Sequence, residues 1–238
     1  MERVGAVIFD MDGLVLDTES ICYEAYLRAA RRFDFTFDER VHMYLAGRTE
    51  DAVISGLRRL YGPDKDVIAW RRFIVGQKAA VLRERGLRAG KRPGVVELLS
   101  FLTRRGIPHA LASSSSARLV HDSLASERLV DAFPVKVTGD MVRRSKPDPE
   151  AFLRAAALLQ VEPSRCLVLE DSAAGVRAAV AGGFIPVFVH DDMSQEGRVD
   201  GACKVLMELE DPRGVARLAR FAPADLAGVI PIIEQLNA

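Results

Sequence analysis

"VIFDMDGLVLDTE", residues 7 to 19, runs an apolar segment directly into Asp10, Asp12 and Asp17, with Gly13 among them. The unbroken apolar run from Val4 to Phe9 has the pattern of a strand buried on both faces in a parallel sheet, closed by a polar cluster. On an extended chain, residues two apart point the same way, so Asp10 and Asp12 can address one centre. Gly13 then lets the backbone turn sharply away. Asp17 and Thr18 read as structural, closing that turn and opening a hinge.

Further along, "IPHALAS" ends at Ser113, "CLVLED" at Asp171, and "PVFVHDD" at Asp191 and Asp192. Val135 to Thr138 is a weaker strand candidate because Lys136 interrupts it. Helical spacing separates these runs. Val95, Leu98, Leu99 and Leu102 share a face before a stop at Gly106, and Phe152, Ala155, Ala156 and Leu159 repeat the pattern. Ala173 to Ala181 ends at Gly182-Gly183. Strand and helix in alternation predict an α/β fold with a doubly wound parallel sheet, Rossmann-like in layout.

Residues 18 to 90 break that rhythm with helical periodicity and hardly any strand, as in Tyr23, Tyr26, Leu27 and Ala30 or Val53, Ile54, Leu57 and Leu60. A crossover helix needs only a dozen or so residues, so this segment reads as an inserted α-helical domain. The expected division is residues 1–17 and 91–238 for the α/β core and 18–90 for the insert. From about Asp211 onward a loop and a closing helix are expected.

Composition narrows the function classes. The 238 residues balance 33 basic against 33 acidic side chains, so there is no broad electrostatic footprint for nucleic acid or an anionic membrane. No apolar run approaches bilayer length. The cysteines, Cys22, Cys166 and Cys203, are odd in number, widely spaced and in no Cys-x-x-Cys arrangement, which suits a reducing cytoplasm better than a disulfide framework or a zinc site. The expectation is a soluble cytoplasmic monomer whose partner is a small molecule, with no nucleic acid and no membrane.

In open α/β sheets ligands bind beyond the carboxyl ends of the strands. That collects Asp10, Asp12, Ser113 with its serine neighbours including Ser114, and Glu170-Asp171, while Lys146 in "RSKPDPE" opens the next helix beside them. Clustered carboxylates repel, and a hard divalent cation offsets this. Metal, lysine and a nucleophilic carboxylate together suit phosphoryl transfer. Serine hydroxyls and free amides at the following helix start suit phosphate oxygens.

Four stretches, "DMDGLVLDTE", "LASSS", "SKPDPE" and "LEDSAAG", together resemble the haloacid dehalogenase superfamily, specifically the branch holding β-phosphoglucomutase and sugar-phosphate phosphatases. The resemblance spans nearly the full chain. It implies Asp10 as the nucleophile forming an aspartyl phosphate, Asp12 as general acid and base, and Ser113 and Lys146 holding phosphoryl oxygens. It also implies Mg²⁺ held by the Asp10 side chain, the Asp12 carbonyl and Asp171, with Glu170 beside it or ligating directly. The insert would be a cap in which Gly47 and Arg48 of "YLAGRTEDA", and Lys78, approach the substrate. Glu50 stands where the mutases of this type carry an arginine, and Cys22 about where they carry a histidine. Those departures favour a Mg²⁺-dependent phosphatase of a small phosphorylated metabolite, a sugar or polyol phosphate. A phosphomutase is the alternative, and a non-enzymatic receiver-like phospho-acceptor is more distant because it lacks a helical insert.

Overall fold

In a computed structural model of the chain, the described residues are 3–38, 41–42, 45, 50–189 and 215–238. They form two compact units. One takes in Met1–Asp17 and resumes at Gly90; the other opens at Thr18 and extends to Ala89.

The first unit is built on a parallel sheet of β1 (Ala6–Phe9), β2 (His109–Ala112), β3 (Val135–Val137), β4 (Cys166–Glu170) and β5 (Ile185–Phe188), in the order β3-β2-β1-β4-β5. Strand β1 is central, with Ile8 opposite Ala110 on one side and Val168 on the other. All four of its residues are buried, as an apolar run covered on both faces requires. Ala6 and Ile8 join a cluster with Ala151, Phe152, Ala155 and Ala156 of α6 (Glu150–Leu159) and Ala178 and Ala179 of α7 (Ala173–Ala181). Phe9 turns to the other face, edge-on to Phe133 at 5.4 Å. The small alanines let these helices lie close on the sheet.

Helix α4 (Val95–Arg105) stops at Gly106, which takes a left-handed φ of 62° and whose N–H donates to the Leu102 and Thr103 carbonyls. Helix α5 (Ala117–Ser126) follows β2, and α8 (Val229–Asn237) closes the chain, where Asn237 Oδ1 accepts from the Val4 N–H at 2.7 Å. The weak strand candidate is the three-residue β3 at the sheet edge. Its interrupting Lys136 donates through Nζ to the Phe133 carbonyl at 2.5 Å, which an edge strand tolerates. The apolar run after Gly183 forms β5, while Asp191 and Asp192 lie outside the described residues.

The connection between β1 and β2 is the second unit, built of α1 (Thr18–Phe33), α2 (Glu50–Tyr61) and α3 (Val67–Glu84). It has its own apolar centre. Trp70, fully buried, stacks on Phe35 at 4.2 Å and meets Tyr26 and Tyr61 edge-on. Arg28 on α1 grips the Glu84 carboxylate on α3 through both terminal nitrogens, at 2.8 and 2.7 Å. Asp66 caps α3 by accepting from the Ala69 N–H at 2.9 Å.

Where the chain leaves and rejoins the first unit, its two ends pair. The Asp17 N–H donates to the Gly90 carbonyl at 3.0 Å, the Arg92 N–H to Val15 O at 3.0 Å, and Leu16 bridges Lys91 antiparallel. The buried Glu127 accepts from the Gly90 N–H at 2.9 Å, with Lys91 Nζ at 3.7 Å. Asp17 adds an ion pair with Arg92 at 3.9 Å. No helix among the described residues is long and apolar enough to cross a membrane.

Candidate active site

The strand order reverses direction across β1 and β4, and in doubly wound sheets such a switch point opens a crevice at the carboxyl ends. Asp10 directly follows β1, its N–H held by the Leu169 carbonyl at 3.0 Å, which extends the β1–β4 ladder by one rung. Asp12 comes two residues later, and Gly13 turns the chain with φ of 84°, a left-handed conformation that costs glycine little. Glu170 is the last residue of β4 and Asp171 the next. Ser113 follows β2, and Lys146 lies in the loop before α6, ahead of a cis bond to Pro147.

These side chains meet. Lys146 Nζ donates to Asp10 Oδ1, to Glu170 Oε1 at 2.5 Å and to the Ala112 carbonyl at 3.4 Å. Asp12 Oδ2 accepts from the hydroxyls of Ser113 at 3.3 Å and Ser115 at 2.9 Å. Ser113 Oγ in turn accepts from the Ser115 N–H at 3.0 Å, which fixes its lone pairs while its proton points to Asp12. Glu170 Oε2 accepts from both the N–H and the hydroxyl of Ser172, at 3.2 and 2.9 Å. Asp10, Ser113 and Glu170 are all buried.

Burial pushes the Asp10 carboxyl up. Lys146 pulls against that, Glu170 and Asp12 push with it, and the outcome is a pKa of about 8. For Lys146, burial alone would lower the pKa, but Asp10 and Glu170 outweigh it and hold the ammonium above the ordinary lysine value. The lysine therefore keeps its proton, and the Asp10 carboxyl is the group driven toward neutrality. Asp10, Glu170 and Asp171 each offer an oxygen, all within 4.8 Å of one another. An all-oxygen carboxylate set of this kind fits a hard divalent cation, which would relieve the same repulsion.

Ser114 and Lys146 line a cavity of about 150 Å³ together with Ser113, Gly139 and Arg143. Lys78 sits half-buried on α3 in the second unit, and Gly47 and Arg48 lie outside the described residues. One expectation needs correction. The amides at the start of α5 are not all open, because the Ala117 N–H is taken by Asp140, at 3.1 and 3.2 Å to its two oxygens. The loop after β3 thus supplies a carboxylate cap that no local pattern around Ser116 discloses.

Two further residues shape the site. Ser115 reaches Asp12 at a shorter distance than Ser113 does, and only the run of four serines hints at it. Gly175, in the first turn of α7, lets the helix pass against Glu170. An added Cβ would stand 1.8 Å from the Glu170 carboxyl carbon.

The profile of the haloacid dehalogenase-like hydrolase family matches residues 4–183. The chain belongs to this family. It is 32% identical over 208 residues to a phosphorylated carbohydrates phosphatase of Thermotoga maritima, covering 87% of this chain and 95% of that one. It is 31% identical over 188 residues to the β-phosphoglucomutase of Bacillus subtilis, covering 77% and 82%. A haloacid dehalogenase family hydrolase of Deinococcus radiodurans, solved with bound phosphate and sodium, has a similar fold, with a TM-score of 0.74, 23% identity and coverage of 98% and 96%.

Proposed function

We propose that this chain is a Mg²⁺-dependent phosphatase of a small phosphorylated metabolite, a sugar or polyol phosphate, working through an aspartyl phosphate on Asp10. The observation that carries the reading is the shared lysine. Lys146 binds Asp10 and Glu170 at once, so a nucleophile candidate, a cation and a candidate metal carboxylate stand at one strand-end crevice. The name of the Thermotoga maritima relative supports the substrate class.

In this reading Asp10 attacks phosphorus and the leaving alcohol takes a proton from Asp12. Water then gives its proton back to Asp12 and attacks the aspartyl phosphate, releasing phosphate and restoring Asp10. The Ser115 hydroxyl orients Asp12 for both proton transfers, while the Ser113 hydroxyl, which donates its one proton to Asp12 over the longer distance of 3.3 Å, turns it to a phosphoryl oxygen when substrate binds. Lys146 and Ser113 hold phosphoryl oxygens, the ammonium balancing their charge. Asp10, Asp171 and the Asp12 carbonyl, with Glu170 beside them, would hold Mg²⁺, which when bound favours the ionised form of Asp10 and neutralises phosphoryl charge.

Asp10→Asn should abolish phosphate release from a panel of sugar, polyol, nucleotide and glycolate phosphates with Mg²⁺ present. Retained turnover would remove Asp10 as nucleophile. The match to a β-phosphoglucomutase favours one other reading, transfer of the phosphoryl group to a second hydroxyl. Supplying β-glucose 1-phosphate with a bisphosphate primer separates the two, since a mutase yields the 6-phosphate without free phosphate.

A further inference from the structure

The serine run that reaches Asp12 is held in place by a segment distant from it in the chain. Ser113 follows β2, and its N–H donates to Val137 O of β3 at 3.0 Å. Two residues on, the Ser115 carbonyl accepts from the Gly139 N–H at 2.8 Å. Two further on, the Ala117 N–H meets both carboxylate oxygens of Asp140, at 3.1 and 3.2 Å. Residues 113, 115 and 117 are thus strapped in step to 137, 139 and 140. Ser116, at the N-cap of α5, makes no side-chain bond to the helix, so Asp140 caps it from outside.

The strap is close and is itself braced. An added Cβ on Gly139 would stand 2.2 Å from the Ser114 carbonyl oxygen and 2.8 Å from its carbon, so the two loops touch backbone to backbone. The buried Thr138 donates its hydroxyl to Asp140 Oδ1. With Thr138 and then Ala117 donating to it, the Asp140 carboxyl is held below the ordinary aspartate value and stays an acceptor. Ser115 lies between these anchors. Its carbonyl is bound by Gly139, its N–H by Ser113 Oγ at 3.0 Å, and its hydroxyl stands 2.9 Å from Asp12 Oδ2. The direction of that hydroxyl is therefore set by a backbone that the loop after β3 holds.

We propose that Asp140 is a positioning residue for the general acid: by anchoring the Ala117 N–H it fixes the backbone from which the Ser115 hydroxyl aims at Asp12. Asp140 acts through that backbone and takes no part in proton transfer. The role rests on the phosphatase reading, in which Asp12 protonates the leaving alcohol. A positioned general acid contributes about 10²–10⁴-fold, and its help matters most when the leaving group is basic. An alkoxide needs the proton, whereas a nitrophenolate departs without one.

The test is kcat/KM, which covers the steps up to loss of the alcohol, measured with Mg²⁺ for the wild type, D140A and D140N. Two substrates are compared: the sugar or polyol phosphate turned over fastest in the phosphate-release panel, and p-nitrophenyl phosphate. Asp140 is exposed, so its substitutions should leave the fold intact, checked by circular dichroism. D140A should lose roughly tenfold or more on the sugar or polyol phosphate and less than about threefold on p-nitrophenyl phosphate. D140N, whose amide oxygen still accepts from Ala117 and Thr138, should keep most of the wild-type value on both. Hydrogen exchange at the Ala117 amide should quicken in D140A and not in D140N, which reads the anchor without turnover. Equal losses on the two substrates would mean a general loosening of the site and would overturn the role. Wild-type kcat/KM in D140A, unchanged exchange at Ala117, or a D140N as damaged as D140A would overturn it too. Failure of the phosphatase reading appears separately, as a wild type that releases no phosphate from either substrate with Mg²⁺, and it removes this role as well.

Discussion

Replacing Gly175 by alanine asks the site to hold a methyl group where it holds Glu170. The added Cβ would lie 1.8 Å from both the carboxyl carbon and Oε1 of Glu170, and 2.3 Å from Oε2. That carboxylate is not a loose end that can swing aside freely, because the N–H and hydroxyl of Ser172 and the ammonium of Lys146 all bind it. Either the carboxylate leaves its donors or the start of α7 moves away from the sheet. Losing the two Ser172 bonds to a charged acceptor costs about 3–6 kcal/mol. Alanine's better helix propensity returns about 1 kcal/mol. The net is a loss of roughly 2–5 kcal/mol, or about 4–20 °C in melting temperature for a chain of this size. Turnover should fall about 10²-fold or more, since Glu170 also positions Lys146 against Asp10 and a 1 Å displacement is enough for that. Thermal unfolding and phosphate release with Mg²⁺ read the two effects. Gly76→Ala on α3 is the control, because an added Cβ there meets nothing within 4 Å, and it should be neutral or slightly stabilising. Gly175→Ala with the melting temperature and turnover of the wild type would refute the argument. In the same background, Glu170→Asp withdraws the carboxylate by one methylene and should recover part of the stability, a coupling visible in a double-mutant cycle.

Other outcomes follow from the same geometry. The Asp10 carboxyl is pushed up to about 8 from the ordinary carboxylate range near 4, so the folded protein binds its proton more tightly than the unfolded chain does. Stability from this group is present in full below about pH 4 and is lost as pH rises toward 8. In metal-free buffer Asp10→Asn should therefore melt above the wild type by a margin that grows from pH 5 to 8; a margin flat with pH counts against the buried, repelled carboxyl. Adding Mg²⁺ at about 100 times its dissociation constant should stabilise the wild type by about 2.7 kcal/mol, roughly 5–10 °C in melting temperature, and Asp171→Asn should reduce the shift. No shift with either divalent Mg²⁺ or Mn²⁺ would remove the carboxylate cluster as a metal site. Trp70→Ala should destabilise the helical unit by about 3–5 kcal/mol, seen as early loss of hydrogen-exchange protection in α1 and α3; uniform loss across the sheet as well would mean the units do not unfold separately.

Much of the architecture is legible in the order of residues because its signals are local. Four apolar residues of β1 followed at once by Asp10 carry both the burial and its end, and the same holds where Cys166 to Glu170 runs into Asp171. Alanine- and leucine-spaced helices between such runs allow little but a parallel sheet. The features that escaped are those whose partners lie far away in the chain. Asp140 capping Ala117, Ser115 binding Asp12 and Glu127 holding Gly90 join residues whose own neighbourhoods look like ordinary turn or helix. Gly175 is a further kind of case: a glycine near a helix start suggests flexibility, and only the position of Glu170 turns it into a steric requirement. Lys78 belongs to another group, for a half-buried helical lysine carries no local mark of what it serves.

The paired ends at Asp17 and Gly90 bear on the order in which this chain organises itself. Bringing β1 beside β2, with Phe9 opposite Leu111, requires closing a long loop if the intervening helices are still unformed. The insert has an aromatic centre of its own around Trp70, so it can condense first and present its two ends as neighbours. A loop made effectively about twentyfold shorter lowers the closure cost by about 2.6 kcal/mol on the (3/2)RT ln n scale. The excursion that separates the two central strands in the chain would then be what delivers them to each other, with Glu127 as the latch that records its completion.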